Sequence, residues 1–204
     1  MPITIGFDLD MTLIDPRPGM VAVVTALGEE FRVPLDAAHF AAHLGPPLAQ
    51  GLRDCGAPEE HLPALVNRFR ELYPDIVIGS TVALPGAHAA LEAVHRAGGR
   101  TLVVTGKYTS NAALHVKALG FEVDVLVGEL WSAQKATALM EHDAVAYAGD
   151  HLGDIHGALA AGAVPIGVAT GPCAREELVA AGAEIVFDSL TEFPGWLAGR
   201  RFAS

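Results

Sequence analysis

Apolar residues along the chain fall into short runs that alternate with stretches of helical spacing. Residues 3–7, Ile-Thr-Ile-Gly-Phe, form a strand-sized run closed by Asp8, and their β-branched side chains favour a buried strand. From Pro85 onward the alternation is regular. Residues 86–97 place Leu91 and Val94 on one helical face and are stopped by Gly98-Gly99. Strands are expected over 100–105, 123–127, 144–148, 164–168 and 185–187. Helices are expected over 111–119, 135–141, 155–161 and 175–181, with one more at the C-terminal end. The strands are almost continuously apolar, as in a parallel sheet covered on both faces. The predicted class is α/β, with ligands bound at the carboxyl ends of the strands.

One segment breaks the alternation. Residues 19–31, 35–43, 48–54 and 59–72 all have helical patterning, with Gly and Pro between them and no strand among them. An all-helical insertion is therefore expected between the first and second core strands. It divides the chain into an α/β core, residues 1–14 and 81–204, and a small helical unit of residues 15–80.

Composition narrows the function classes. Hydrophobic residues make up 51% of the 204, enough for a substantial core. The formal charge of -11 disfavours a nucleic-acid surface, which needs clustered Lys and Arg. An acidic protein acting on an anion needs local countercharge, from a metal or a few placed cations. Cys55 and Cys173 have no metal-ligand or disulfide pattern, so buried reduced thiols are expected. The start MPITIGFDLD lacks the basic end and long apolar stretch of a signal peptide. Runs such as 101–105 and 123–127 are too short to cross a bilayer. A cytoplasmic, soluble protein with no nucleic-acid or membrane partner is the expectation.

Candidate chemistry gathers at strand ends. Asp8 and Asp10 flank Leu9 just after the first strand, with Thr12 close behind. Paired carboxylates suit a division of labour in which one attacks and the other handles the leaving-group proton. Thr105 and Gly106 follow the second core strand, where a hydroxyl and free N–H groups can bind phosphoryl oxygens. Asp150 and Asp154 follow another strand, in Gly-Asp-His-Leu-Gly-Asp. With Asp8 they make an oxygen-rich set suited to Mg²⁺. Lys135, at a helix start, supplies the local countercharge. Each residue alone also fits a cap, a turn or a solvated position; jointly they answer one chemical need.

In this combination the sequence resembles the haloacid dehalogenase-like hydrolase superfamily, close to its phosphoglycolate-phosphatase-like branch. Asp8-Leu9-Asp10-Met11-Thr12-Leu13 is similar to its first motif, and Val103-Val104-Thr105-Gly106-Lys107 to its second. Lys135 fits the third, and Gly149-Asp150 through Asp154 the fourth. Pro85-Gly86, Gly45-Pro46-Pro47-Leu48 and Arg70 with Tyr73 resemble weaker signatures. The chain departs from the pattern at Met11, where Gly or Ser is more usual, at Ala136 in place of Pro, and at His151. The resemblance implies a Rossmann-like core with a helical cap inserted after the first motif.

It also implies a mechanism: Asp8 as nucleophile, Asp10 as general acid and base, and Thr105 and Lys135 on the transferring phosphoryl group. The N–H groups of Leu9 and Gly106, with Thr12, would bind the substrate. Arg53, Arg70 and the turn at residues 45–48 are the cap candidates for selecting the leaving group, with a solvated or structural role equally open for the two arginines. Mg²⁺ would be held by Asp8, Asp150, Asp154 and the backbone carbonyl of Asp10. The expected function is a phosphatase for a small phosphorylated metabolite. A phosphomutase of the same superfamily and a non-catalytic phosphometabolite-binding protein are the competing readings. His39 and His43 have zinc-compatible spacing without a third ligand in register, and His151 is a pocket-lining candidate. The substrate and the oligomeric state are left open.

Overall fold

A computed structural model describes residues 2–202. Its centre is a six-stranded parallel sheet in the order β5-β4-β1-β6-β7-β8. The strands are β1 (Thr4–Phe7), β4 (Arg100–Val104), β5 (Val125–Val127), β6 (Ala144–Gly149), β7 (Val164–Val168) and β8 (Ile185–Phe187). β1 lies between β4 and β6, so its carboxyl end opens at the middle of the sheet.

Alternate residues of each strand serve opposite faces. Ile5 and Phe7 of β1, Val103 of β4 and Ala146 and Ala148 of β6 share one apolar cluster with Leu91, Val94 and Phe193. Those last residues come from α5 (Ala87–Arg96) and α10 (Phe193–Ala198). Leu102, Val104 and Tyr147 face the other way, onto Leu139 of α7 (Lys135–Glu141) and Ala158 of α8 (Leu152–Ala161). α6 (Thr109–Ala118) and α9 (Arg175–Ala180) complete the layers. This is the α/β parallel-sheet class that the apolar runs predict.

Between β1 and α5 lie four helices: α1 (Arg17–Phe31), α2 (Ala37–Ala42), α3 (Leu48–Asp54) and α4 (Leu62–Ile76). They enclose an apolar cluster of their own, including Val23, Leu27, Phe40, Leu52, Leu65 and Phe69. The segment starts and ends on a short antiparallel pair, β2 (Ile14–Asp15) with β3 (Val82–Ala83). Two-residue strands have no periodicity to detect, which is why the sequence reading holds no strand there. α4 also runs past the expected end at residue 72, through Pro74. Proline removes one hydrogen bond from a helix, and here the loss falls in the last turn.

Two other boundaries move for local reasons. β5 begins at Val125 rather than 123 because the Asp124 carboxylate, not a strand carbonyl, accepts the N–H of Thr101 at 2.7 Å. α8 begins at Leu152 rather than 155 because His151 and Asp154 cap it reciprocally. His151 Nδ1 accepts from Gly153 N, and Asp154 Oδ2 accepts from His151 N, each at 3.0 Å. Among the described residues no helix is long and apolar enough to cross a membrane.

Candidate active site

The chain leaves β1 in a tight reversal. The N–H groups of Leu13 and Ile14 both donate to the Leu9 carbonyl, at 2.9 and 3.0 Å, and Met11 N–H donates to Ile14 at 2.8 Å. Met11 sits at φ 59, a left-handed conformation that favours glycine. Its side chain is buried against the helical segment, in the cluster of Met20 and Val23. That packing holds a non-glycine residue where the turn alone would prefer glycine. The reversal leaves Asp8 and Asp10 together at the mouth of the sheet. Among the described residues no backbone carbonyl accepts the N–H of Leu9 or of Gly106, so both remain available to an anion.

Asp8, Asp150 and Asp154 are buried, and each offers a carboxylate oxygen within 4.8 Å of the other two. Lys135, only 1% exposed, binds this group together. Its Nζ donates to Asp8 Oδ1 at 2.7 Å, Asp154 Oδ1 at 2.5 Å and the Tyr147 hydroxyl at 2.9 Å. The Tyr147 hydroxyl in turn donates to the Val104 carbonyl at 2.6 Å. Tyr147 is absent from the expected site residues, although a phenol inside an apolar strand is itself a signal that a polar partner is buried nearby.

Charge in this pocket is unbalanced. Among the described residues Asp8, Asp10 and Asp154 are paired with Lys107 and Lys135, and Arg70 and Glu129 also line the cleft. Burial raises Asp8 to about 7; Lys135 opposes the rise, and Asp154 and Asp10 add to it. Burial likewise lifts Asp150 well above the carboxylate range, reinforced by Asp154 and Asp8. Burial works against the Lys135 charge, but Asp154 and Asp8 outweigh it and keep its pKa well above the lysine value. A hard dication beside three carboxylates would supply the missing positive charge, so the donor set fits Mg²⁺.

Two glycines make room for these acids. A Cβ on Gly149 would stand 2.3 Å from Asp154 Cγ, and one on Gly171 would stand 1.7 Å from Asp150 Oδ2. Gly171 is 21 positions beyond Asp150, a proximity that no local pattern announces.

Asp10 has a different partner. Its Oδ2 lies 3.0 Å from Lys107 Nζ, while Oδ1 is buried with no hydrogen-bond partner. Lys107 also donates to the Tyr73 hydroxyl at 2.6 Å, and that hydroxyl meets His115 Nε2 at 2.7 Å. Burial disfavours the Lys107 charge, but Asp10 and Tyr73 outweigh it and raise its pKa. Burial and the Lys107 charge press His115 down to about 4.

A cleft of about 300 Å³ joins these groups to the helical segment. Asp8, Asp10, Thr105, Gly106, Lys107, Lys135, Asp150 and Asp154 line one side. Phe40, Leu44, Pro46, Phe69, Arg70 and Tyr73 line the other, with Tyr108, Trp131 and His151 at the core rim. The Thr105 hydroxyl accepts the N–H of Lys107 at 3.2 Å.

Two expected substrate contacts lie elsewhere. Thr12 is fully buried, and its hydroxyl donates to Asp150 Oδ1 at 2.9 Å, so it orients an acid instead of facing the cleft. Arg53 stands on the outer surface of the helical segment, paired with Glu59 and Gln50. A charge alone does not reveal that Glu59, six positions on, captures it. Arg70 does reach the cleft; its guanidinium lies 4.5 Å from the Tyr108 ring centroid. The Asp10 side chain is outside the carboxylate triad and pairs with Lys107 instead. His39 and His43 stack on each other, with no third metal-binding side chain beside them among the described residues.

Comparison with known proteins extends this picture. The family model for haloacid dehalogenase-like hydrolases matches residues 5–168. The chain is 32% identical to a phosphoglycolate phosphatase of Rhodospirillum rubrum, over 97% of this chain and 91% of that protein. It is 31% identical to a phosphoglycolate phosphatase of Caulobacter vibrioides, over 94% of this chain and 89% of that one. A haloacid dehalogenase-like hydrolase from Streptococcus pneumoniae superposes with a TM-score of 0.84 at 22% identity, covering 96% of this chain and 98% of that structure.

Proposed function

The chain belongs to the haloacid dehalogenase-like hydrolase family, and we propose that it is a magnesium-dependent phosphatase working through a phosphoaspartate on Asp8. The observation that carries the proposal is the place of Asp8. It closes the central strand, its Oδ1 is 2.7 Å from Lys135, and the oxygens of Asp150 and Asp154 complete a cation-sized group. Two relatives that match along most of their length are phosphoglycolate phosphatases, which favours hydrolysis over a mutase reaction.

Asp8 attacks the phosphorus of a small phosphomonoester in line, and the bond to the leaving-group oxygen breaks. Asp10 gives its proton to that oxygen. Asp10 then takes a proton from the water that attacks phosphorus, and phosphate leaves while Asp8 is restored. Lys135, the Thr105 hydroxyl and the N–H groups of Leu9 and Gly106 hold the transferring phosphoryl oxygens. Asp8, Asp150, Asp154 and the Asp10 carbonyl would hold Mg²⁺, with Thr12 orienting Asp150. When bound, Mg²⁺ offsets the charge of the phosphoryl group and of the clustered acids.

Residues 15–80 serve as a cap in this reading. Phe40, Leu44 and Phe69 close the cleft over the reacting groups and exclude water, and Arg70 reads the leaving group. The substrate class is a small phosphomonoester, phosphoglycolate foremost. Phosphate release from a panel of such esters, with and without Mg²⁺, tests the proposal. Magnesium-dependent release supports it, and a protein inert to the whole panel with Mg²⁺ present counts against it.

A further inference from the structure

We propose that Lys107, braced by Tyr73 and His115, is a positioning residue that holds one oxygen of Asp10 and leaves the other to exchange the proton with the substrate. The proposal rests on the phosphatase reading and adds three residues to which that reading gives no role.

The donor and acceptor inventory fixes the direction at the Lys107 end of the chain of contacts. Lys107 has donors and no acceptor, so it donates to the Tyr73 hydroxyl at 2.6 Å, and its ammonium pairs with Asp10 Oδ2 at 3.0 Å. The hydroxyl proton of Tyr73 is then free for His115 Nε2, 2.7 Å away. With Nε2 as the acceptor the neutral imidazole carries its proton on Nδ1, which is buried without a partner among the described residues. Burial and the Lys107 charge, which hold His115 near 4, keep that imidazole neutral.

At the far end, Asp10 Oδ1 has no hydrogen-bond partner although it is buried, and Asp10 lines the cleft. A carboxyl group with one oxygen fixed and one unengaged is oriented for proton transfer at the unengaged oxygen. The brace also crosses between two parts of the fold. Lys107 and His115 belong to the sheet-bearing core, while Tyr73 comes from α4 of the helical segment. The seating of α4 thus bears on Asp10 through Tyr73 and Lys107.

The test compares two esters. A phosphoalkyl ester needs a proton on its departing alkoxide, whereas p-nitrophenyl phosphate releases a phenolate that leaves without one. The ratio kcat/KM reports the steps up to leaving-group departure, so later water activation does not enter. For Lys107→Met, kcat/KM on the alkyl ester should fall about 10²-fold, the scale of general acid catalysis. On the aryl ester it should fall far less. Tyr73→Phe, which removes a single hydroxyl, should show the same selectivity with a smaller loss, and it decides the matter if Lys107→Met does not fold. Equal losses on both esters would mean a merely structural role and overturn the proposal, as would unchanged kinetics. If the unaltered protein turns over neither ester, the phosphatase reading falls and takes this proposal with it.

Discussion

The Lys135 ammonium lies 2.7 Å from Asp8 Oδ1 in a position with 1% exposure, inside a pocket where acids outnumber bases. Removing that charge leaves Asp8 and Asp154 facing each other without compensation. Breaking a buried ion pair from one side typically costs about 3–5 kcal/mol. Lys135→Met is expected to lose stability on that scale in the metal-free protein, read from the denaturant midpoint. Added Mg²⁺ should recover part of the loss; a variant as stable as the parent without metal would show that the pair carries no net stabilisation.

Asp8 provides a pH signature. Its carboxyl is raised from 3.8 to about 7 in the folded protein, chiefly by burial. Between those values the folded state holds the proton more tightly than the unfolded chain. The contribution of this group to stability therefore declines as pH rises through that window, and the penalty is complete above it. Asp8→Asn should raise the melting temperature of the metal-free protein at about pH 8, with the gain fading toward about pH 4. With Mg²⁺ present the order should reverse, because only the parent retains the full ligand set. A pH-independent difference between the two proteins would contradict the assignment.

Gly171→Ala probes the support of Asp150. The added Cβ would stand 1.7 Å from Asp150 Oδ2, so the carboxylate must move. Displaced support for a metal ligand typically costs about 10–100-fold in affinity. The Mg²⁺ concentration for half-maximal activity should rise on that scale. Gly79→Ala is the control, since its Cβ would meet nothing within 4 Å, and it should leave the Mg²⁺ dependence unchanged.

The two cap arginines should separate cleanly. Arg53 is engaged by Glu59 at the surface and lies outside the cleft lining; Arg53→Ala should leave kcat and KM as they are. Arg70 lines the cleft beside Tyr108. Arg70→Ala should raise KM for a substrate with an anionic leaving group by about tenfold, the loss of one charged hydrogen bond. A kinetic effect from Arg53 with none from Arg70 would reverse the roles given to them.

Much of the fold was legible because the core strands are apolar runs punctuated by Gly, Pro or an acid. Asp8, Thr105 and Asp150 each stand where such a run stops, so the sheet brings them to one end. Residues whose placement depends on a distant neighbour were not legible. The orientation of Thr12 follows from the left-handed turn at Met11, and that turn is held by side chains of the helical segment. Arg53 and Arg70 look alike as isolated charges; Glu59 holds one at the surface, and the Tyr108 ring with Glu129 holds the other at the cleft. Lys107, Tyr73 and His115 come from three segments, and only the seating of α4 makes them a unit.

The central claim is that Asp8 carries the phosphoryl group, and the most direct measurement is phosphate release by the parent and by Asp8→Asn, with Mg²⁺ and phosphoglycolate. Losing an essential catalytic group should lower the rate by at least about 10³-fold, with the folded structure kept. Near-parental release by Asp8→Asn would contradict the account and place the nucleophile elsewhere.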